Sequence, residues 1–201
     1  MSEQTQPKQQ LTIQESTATK LPTIQELFAD NLEIAGRMEG LNAILQTPPP
    51  AKWVKKHPFI GDDDKPWYYL PIDKVEHLLA RIFKKYRIEV LREGTAFNGV
   101  YVVVRVWYLN PATGEMDYHD GIGAQQLQTK KGTSSADLAN INHGAISMAF
   151  PIAKTFAVKD ACDHFGPLFG ANLNRKDVVA LQPDMELIKQ QQSERHNKAM
   201  G

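Results

Sequence analysis

From Thr23 onward, apolar side chains recur every three or four residues: Ile24, Leu27, Phe28, Leu32, Ile34, Ala35, Met38, Leu41 and Leu45. That period places them on one stripe of an amphipathic helix, with Thr23 as N-cap, Glu26 completing a capping box and Pro48-Pro49-Pro50 ending it. Residues 51–66 (AKWVKKHPFIGDDDKP) interleave basic, aromatic and acidic patches between prolines, which predicts a surface loop or extended arm rather than a regular element. Residues 67–70 predict a short strand, and Pro71 with Ile72, Val75, Leu78, Leu79, Ile82 and Phe83 predicts the helix that follows. Residues 87–92 then alternate, with Arg87, Glu89 and Leu91 outward and Ile88 and Val90 inward. Residues 99–109 (GVYVVVRVWYL) form a β-branched and aromatic run with Arg105 inside it. The turn Asn110-Pro111-Ala112-Thr113-Gly114 returns the chain to a third strand over 115–124. A polar loop over 130–140 leads to a helix over 145–165, and a last amphipathic helix is predicted over about 177–192, broken near Pro183.

The order helix, helix, β-β-β, helix, helix predicts an α+β domain: a curved antiparallel three-stranded sheet packed by a long helix, a β-β-β-α core with flanking helices. Residues 1–20, rich in Gln, Ser and Thr, have too little to bury to offset the entropy of ordering and predict a disordered arm. Residues 190–201 predict a fraying polar tail, which leaves one domain over 21–189. A 42% hydrophobic content in 201 residues suits a single core. Lys plus Arg and Asp plus Glu both number 23, so attraction to an acidic partner must come from a local patch. One cysteine, Cys162, excludes an internal disulfide framework and a cysteine-rich zinc site and suits a reducing compartment. The start shows no basic-then-apolar signal pattern and no apolar run nears the ~18 residues of a membrane span, so the expectation is a soluble intracellular protein.

The chemistry concentrates in residues 149–170. Ala149, Ala153, Ala157, Ala161 and Phe165 fall at four-residue steps, a ridge of small side chains that lets a helix approach a sheet closely. Thr155 and Lys159 form an adjacent ridge that sets a hydroxyl beside an ammonium, a pair suited to phosphate. No G-x-x-x-x-G-K-S/T loop is present, which disfavours ATP-driven strand exchange. The clusters Lys52, Lys55, Lys56, then Lys84, Lys85, Arg87, and Lys130, Lys131 either complete a groove or form solvated faces. Trp53, Phe59, Trp67 and Tyr68 either stack on bases or pack in the core. Two acidic groups suggest a metal-dependent nuclease as the alternative: Asp62-Asp63-Asp64, and Glu115, Asp117 and His119 at two-residue spacing on one strand face. The six histidines show no H-E-x-x-H spacing, and Cys162 reads as a packed thiol. A third reading, motivated by zero net charge, is an assembly protein with no nucleic-acid role.

The run Ala153-x-Thr155-x-Ala157-x-Lys159-x-Ala161-x-x-x-Phe165-Gly166-x-x-x-Gly170 resembles the signature helix and following turn of the Rad-fifty-two superfamily of single-strand annealing proteins, which includes phage recombinases. Tyr69-Leu70-x-x-x-Lys74-Val75, Val104-Arg105-Val106 and Tyr118-His119-Asp120-Gly121-x-Gly123 resemble earlier segments of that family in the same order, so the likeness spans residues 67–170. The resemblance implies an oligomeric ring or helical filament that binds single-stranded DNA and anneals complementary strands in homologous recombination and repair. It implies neither ATP, nor cofactor, nor catalytic residue, nor metal. It places the protein in a bacterial host cytoplasm at the nucleoid, with a phage exonuclease or a host single-strand binding protein as further partner candidates. Lys74 and Lys159 match basic positions of the family's inner DNA groove; Arg105 matches its strand motif, Lys130 and Lys131 fall near its basic loop, and Thr155 joins Lys159 as a DNA-contact candidate. Asp160 departs from the pattern, since the family generally has a second basic residue there; an acid at a groove would repel phosphate or pair with a neighbouring lysine. Thr95 stands where a second-site lysine is common.

Overall fold

A computed structural model of the chain describes residues 31–61, 63–134, 138–175 and 185–200. The arm expected over 1–20, the capping box of Thr23 and Glu26, Asp62, and the predicted helix start at 177 with its break near Pro183 lie outside the described residues. Helix α1 (Leu32–Leu45) opens at Asn31, whose side-chain oxygen accepts a hydrogen bond from the Ile34 amide at 3.2 Å. That cap satisfies one of the free first-turn amides, so this helix starts at Asn31 rather than running through from Thr23 as the apolar period suggests.

Residues 51–66 are more regular than their composition indicates. They hold a 3-10 turn, Ala51–Trp53, and strand β1 (Lys55–Gly61), which pairs antiparallel with β2 (Pro66–Tyr69) in the register Lys55↔Tyr69 and Lys56↔Tyr68. Pro58 is tolerated because a two-stranded ribbon has only edges, where one unpaired backbone position costs little. Gly61 closes the hairpin at φ 82, and a Cβ there would meet the Lys65 carbonyl at 2.5 Å and the Trp67 amide at 2.7 Å. Only glycine meets both demands. Helix α2 (Ile72–Ile82) follows Pro71 and buries Val75, Leu78 and Leu79.

The main sheet is an antiparallel meander of β3 (Tyr86–Ala96), β4 (Gly99–Leu109) and β5 (Met116–Gln126), as the sequence predicts, and the domain is α+β. Along β4, Val100, Val102, Val104, Val106 and Tyr108 are buried, while Tyr101, Val103, Arg105 and Trp107 stand on the opposite face. The alternation expected for β3 fails after Ile88. A bulge between Val90 and Arg92 shifts the register, and Val90 and Leu91 are both exposed. The covering helix explains why this is tolerated: α3 (Ala145–Asp163) lies over β4 and β5 rather than over the edge strand β3.

Ala149, Ala153, Ala157 and Ala161 of α3 are all buried, and the sheet meets them with glycine. A Cβ built on Gly121 would land on the Ala157 carbonyl and the Ala161 amide; one built on Gly123 would land on the Ala153 carbonyl and the Ala157 amide. Alanine on the helix and glycine on the strand bring the two backbones together. At the end of α3, the rings of Phe83, Tyr108, Phe165 and Phe169 pack with centroids 4.5 to 6.3 Å apart, closing the core. Helix α4 (Met185–Met200) packs along α1 and continues through the stretch where a fraying tail is predicted. A second helix that buries one flank stabilises ordering that local propensity alone does not. No helix among the described residues is long and apolar enough to cross a membrane.

Candidate nucleic-acid interface

Helix α2, the β1–β2 hairpin and the C-terminal half of α3 bring Lys74 and Lys159 to one side of the molecule. Lys159 Nζ lies 4.7 Å from the centre of the Tyr69 ring. Lys74 Nζ lies 5.8 Å from the Trp53 ring and 2.9 Å from the Asp73 carboxylate. The Asp73 charge also acts on Lys159, though less than burial and Asp163 do. Lys159 lines a cavity of about 270 Å³, walled also by Trp67, Tyr69, Asp163, Asn174 and Arg175. Trp67 and Tyr68 present exposed ring surface at its mouth, and Lys55 sits directly across the ladder from Tyr69. Cations beside exposed rings are what a single strand requires: phosphates are neutralised and bases find π faces.

Asn174 fixes this geometry. It accepts a hydrogen bond from the Tyr68 amide and donates one to the Tyr68 carbonyl, both at 2.7 Å, so its side chain acts as a third strand against β2. Nothing local in the sequence marks Asn174 or Arg175 as site residues, since the pairing spans 106 positions.

The electrostatics are finely balanced. Burial pushes the Lys159 ammonium below its ordinary range, while Asp163 and Asp73 pull it back up. Burial first, and the nearby Asp160 second, push the Asp163 carboxyl up to about 6 from 3.8. A carboxyl with a raised folded pKa binds its proton more tightly in the native state, so its contribution is favourable below pH 4 and is lost as pH rises through about 6. Because Asp163 is exposed to water on one side, screening holds the effect to about 1 kcal/mol. Asp163→Asn is therefore expected to stabilise the fold by about that amount at pH 8 and by nothing at pH 4. Urea unfolding at the two pH values checks this, and an equal gain at both would refute it.

The other sequence candidates go elsewhere. Thr155 is one turn before Lys159, but its hydroxyl donates to the Pro151 carbonyl at 3.0 Å, leaving only its lone pairs for a ligand. Arg105 stands on the face of the sheet turned away from α3, in a two-point clamp with Asp120 at 2.7 Å for each bond and 3.8 Å above the Tyr118 ring. That clamp holds the Asp120 carboxyl below its usual range. Arg87 joins this second face, over Trp107. Lys130 and Lys131 are exposed in the loop after β5, which joins the β3–β4 turn through the Leu127 amide and the Asn98 carbonyl. They lie toward the start of α3, and the helix between Ala145 and Lys159 spans about 21 Å. The six candidates thus divide among three places.

Asp160 is engaged by the sheet rather than by a lysine among the described residues. Its carboxylate accepts the Ile122 amide at 2.9 Å, satisfying an outward-facing donor of the edge strand β5. The metal alternatives also change. Asp63 pairs with Lys56 at 2.6 Å. Glu115 precedes β5, while Asp117 and His119 both bond the Tyr108 hydroxyl, at 3.2 and 3.3 Å. Burial and the adjacent His164 hold His119 below its ordinary range. Among the described residues no group of three or more His, Cys, Asp or Glu converges on a point. Cys162 is buried, and burial pushes its thiol far up, in keeping with a packed side chain. No protein-family model and no curated protein matches the chain.

Proposed function

We propose that this chain binds single-stranded DNA and anneals complementary strands without ATP, as a homo-oligomeric ring or filament of the Rad-fifty-two type acting in recombination in the bacterial cytoplasm. The observation that carries the reading is Lys159 on the wall of an aromatic-lined cavity, over the Tyr69 ring, with the Asp73–Lys74 pair near enough for the Asp73 charge to act on it. Annealing needs no nucleophile or general base. It needs cations to neutralise two repelling backbones and a surface that leaves base edges free to test pairing. The β-β-β-α order and the likeness over residues 67–170 favour the same reading. A phage exonuclease or a host single-strand binding protein is the partner class that would supply or hand over its single strands.

The test is the annealing rate of two complementary labelled oligonucleotides with purified protein and neither nucleotide nor metal, across a salt series. Acceleration over the spontaneous rate, fading as salt rises, is expected. A folded protein that leaves the rate unchanged at every salt concentration removes the reading; magnesium-dependent cutting of the same strands would put the nuclease alternative in its place.

A further inference from the structure

We propose that Asp73 is a built-in competitor for the DNA backbone, an internal counter-ion that holds Lys74 until phosphate displaces it and so keeps the grip on a strand reversible. The inference rests on the strand-binding reading above and concerns regulation of that same site. Its basis is geometric. Asp73 and Lys74 open the first turn of α2, and the carboxylate lies 2.9 Å from the ammonium. The Asp73 charge also acts on Lys159 of α3, and Asp163, one turn further along α3, lines the same cavity. Lys159, Asp163 and Arg175 therefore line the cavity, and the Asp73–Lys74 pair stands near Lys159 at the start of α2. Asp73 and Asp163 thus offset two of the three cations Lys74, Lys159 and Arg175.

A phosphate that takes Lys74 must replace the exposed Asp73 carboxylate as its ion-pair partner. The freed carboxylate then collects cations from solution, opposing the counterion release that drives strand binding. The consequence is twofold: affinity is lower than the lysines alone would give, and the dependence on salt is shallower. For annealing this is useful. A strand must be held long enough to meet its complement and then surrendered as a duplex, and a competing carboxylate at the contact shortens the hold without removing it.

Asp73→Asn keeps shape and removes charge. It is expected to tighten binding of a labelled oligothymidylate by about twofold to fivefold at 50 mM salt, the range of an exposed ion pair. It should also steepen the slope of log affinity against log salt by up to about one unit, and slow strand release. Asp73→Glu, which restores the charge, should behave as wild type; that rescue separates charge competition from any role in shaping the helix start. Unchanged affinity and slope in Asp73→Asn, with Lys74→Glu still weakening binding, would overturn the inference and leave the strand-binding reading intact. Weaker binding in Asp73→Asn would make Asp73 a positioning partner of Lys74 and overturn it as well. If the wild-type protein binds no strand at any salt concentration, both the reading and the inference fall together.

Discussion

Gly123→Val is expected to abolish folding. The added side chain would fall on the Ala153 carbonyl and the Ala157 amide, with Phe156 Cβ 2.9 Å away. Overpacking in a core generally costs about 1–3 kcal/mol because side chains shift to make room. Here the obstacle is helix backbone, which cannot rotate aside, so α3 must lift from the sheet. Lifting it unpacks Ala153, Ala157, Val158 and Ala161 from Val102, Val104 and Val106, which are all buried. The expected loss is more than about 4 kcal/mol, a large part of the stability of a typical domain. Gly121→Ala tests the same contact with one methyl group, against the Ala161 Cβ and backbone. The control is Gly114→Ala, at φ 79 with nothing within 4 Å, where only the left-handed backbone penalty of about 1–2 kcal/mol applies. Circular dichroism and thermal melting read all three; a cooperative melt of the valine variant within a few degrees of wild type would show that α3 does not sit on β5 as described.

The same contact explains why much of the fold is legible in the sequence. The alanine ridge at four-residue steps and the uninterrupted run over 99–109 are periodic signals, and burial follows them residue by residue. The segments that carry the family resemblance also prove to hold the fold together. Gly121 and Gly123 admit the helix, Tyr118 and Asp120 hold Arg105, and His119 bonds Tyr108. A likeness in those residues is thus a likeness in packing. This also accounts for Arg105: its place in a strand motif suggests DNA contact, but its guanidinium is already engaged by Asp120 and stacked on Tyr118.

What the sequence conceals depends on long-range pairing or on short irregular elements. The β1–β2 hairpin is hidden by prolines and by mixed charge, because its stability comes from cross-strand partners and the Asn174 clamp rather than from propensity. The bulge at Val90 leaves no periodic trace until the register of the neighbouring strand is known. Asp160 stands out as an anomaly in the sequence because helix spacing says which residues share a ridge but not whether a carboxylate turns toward a strand edge. Lys74 and Lys159 are legible as basic positions. Their counter-ions are not, since the ion pair that restrains Lys74 joins adjacent residues whose relative side-chain directions spacing does not fix.

Lys159→Glu is expected to weaken single-strand binding by about tenfold to a hundredfold at 50 mM salt, or about 1.4–2.8 kcal/mol, and to reduce the salt slope by about one unit for each phosphate that is no longer neutralised. The reversal acts twice. It removes the ammonium that lies over Tyr69, and it adds an acid beside Asp163 and within reach of Asp73, leaving Arg175 as the cation facing two carboxylates on the cavity wall. Because a new acid beside Asp163 also strains the native state, Lys159→Gln is the companion variant; it removes charge without adding any and should lose part of the affinity with a thermal midpoint near wild type. Lys74→Glu should weaken binding in the same direction, by less, since Asp73 already offsets Lys74. Arg105→Gln supplies the contrast: that side chain lies on the other face of the sheet, so its loss should change strand affinity less than twofold. Fluorescence anisotropy with labelled oligothymidylate across a salt series orders the four variants. If Arg105→Gln reduces affinity more than Lys159→Glu, the binding surface is the open sheet face with its arginines and aromatic rings, and the assignment to the cavity between β2 and α3 is wrong.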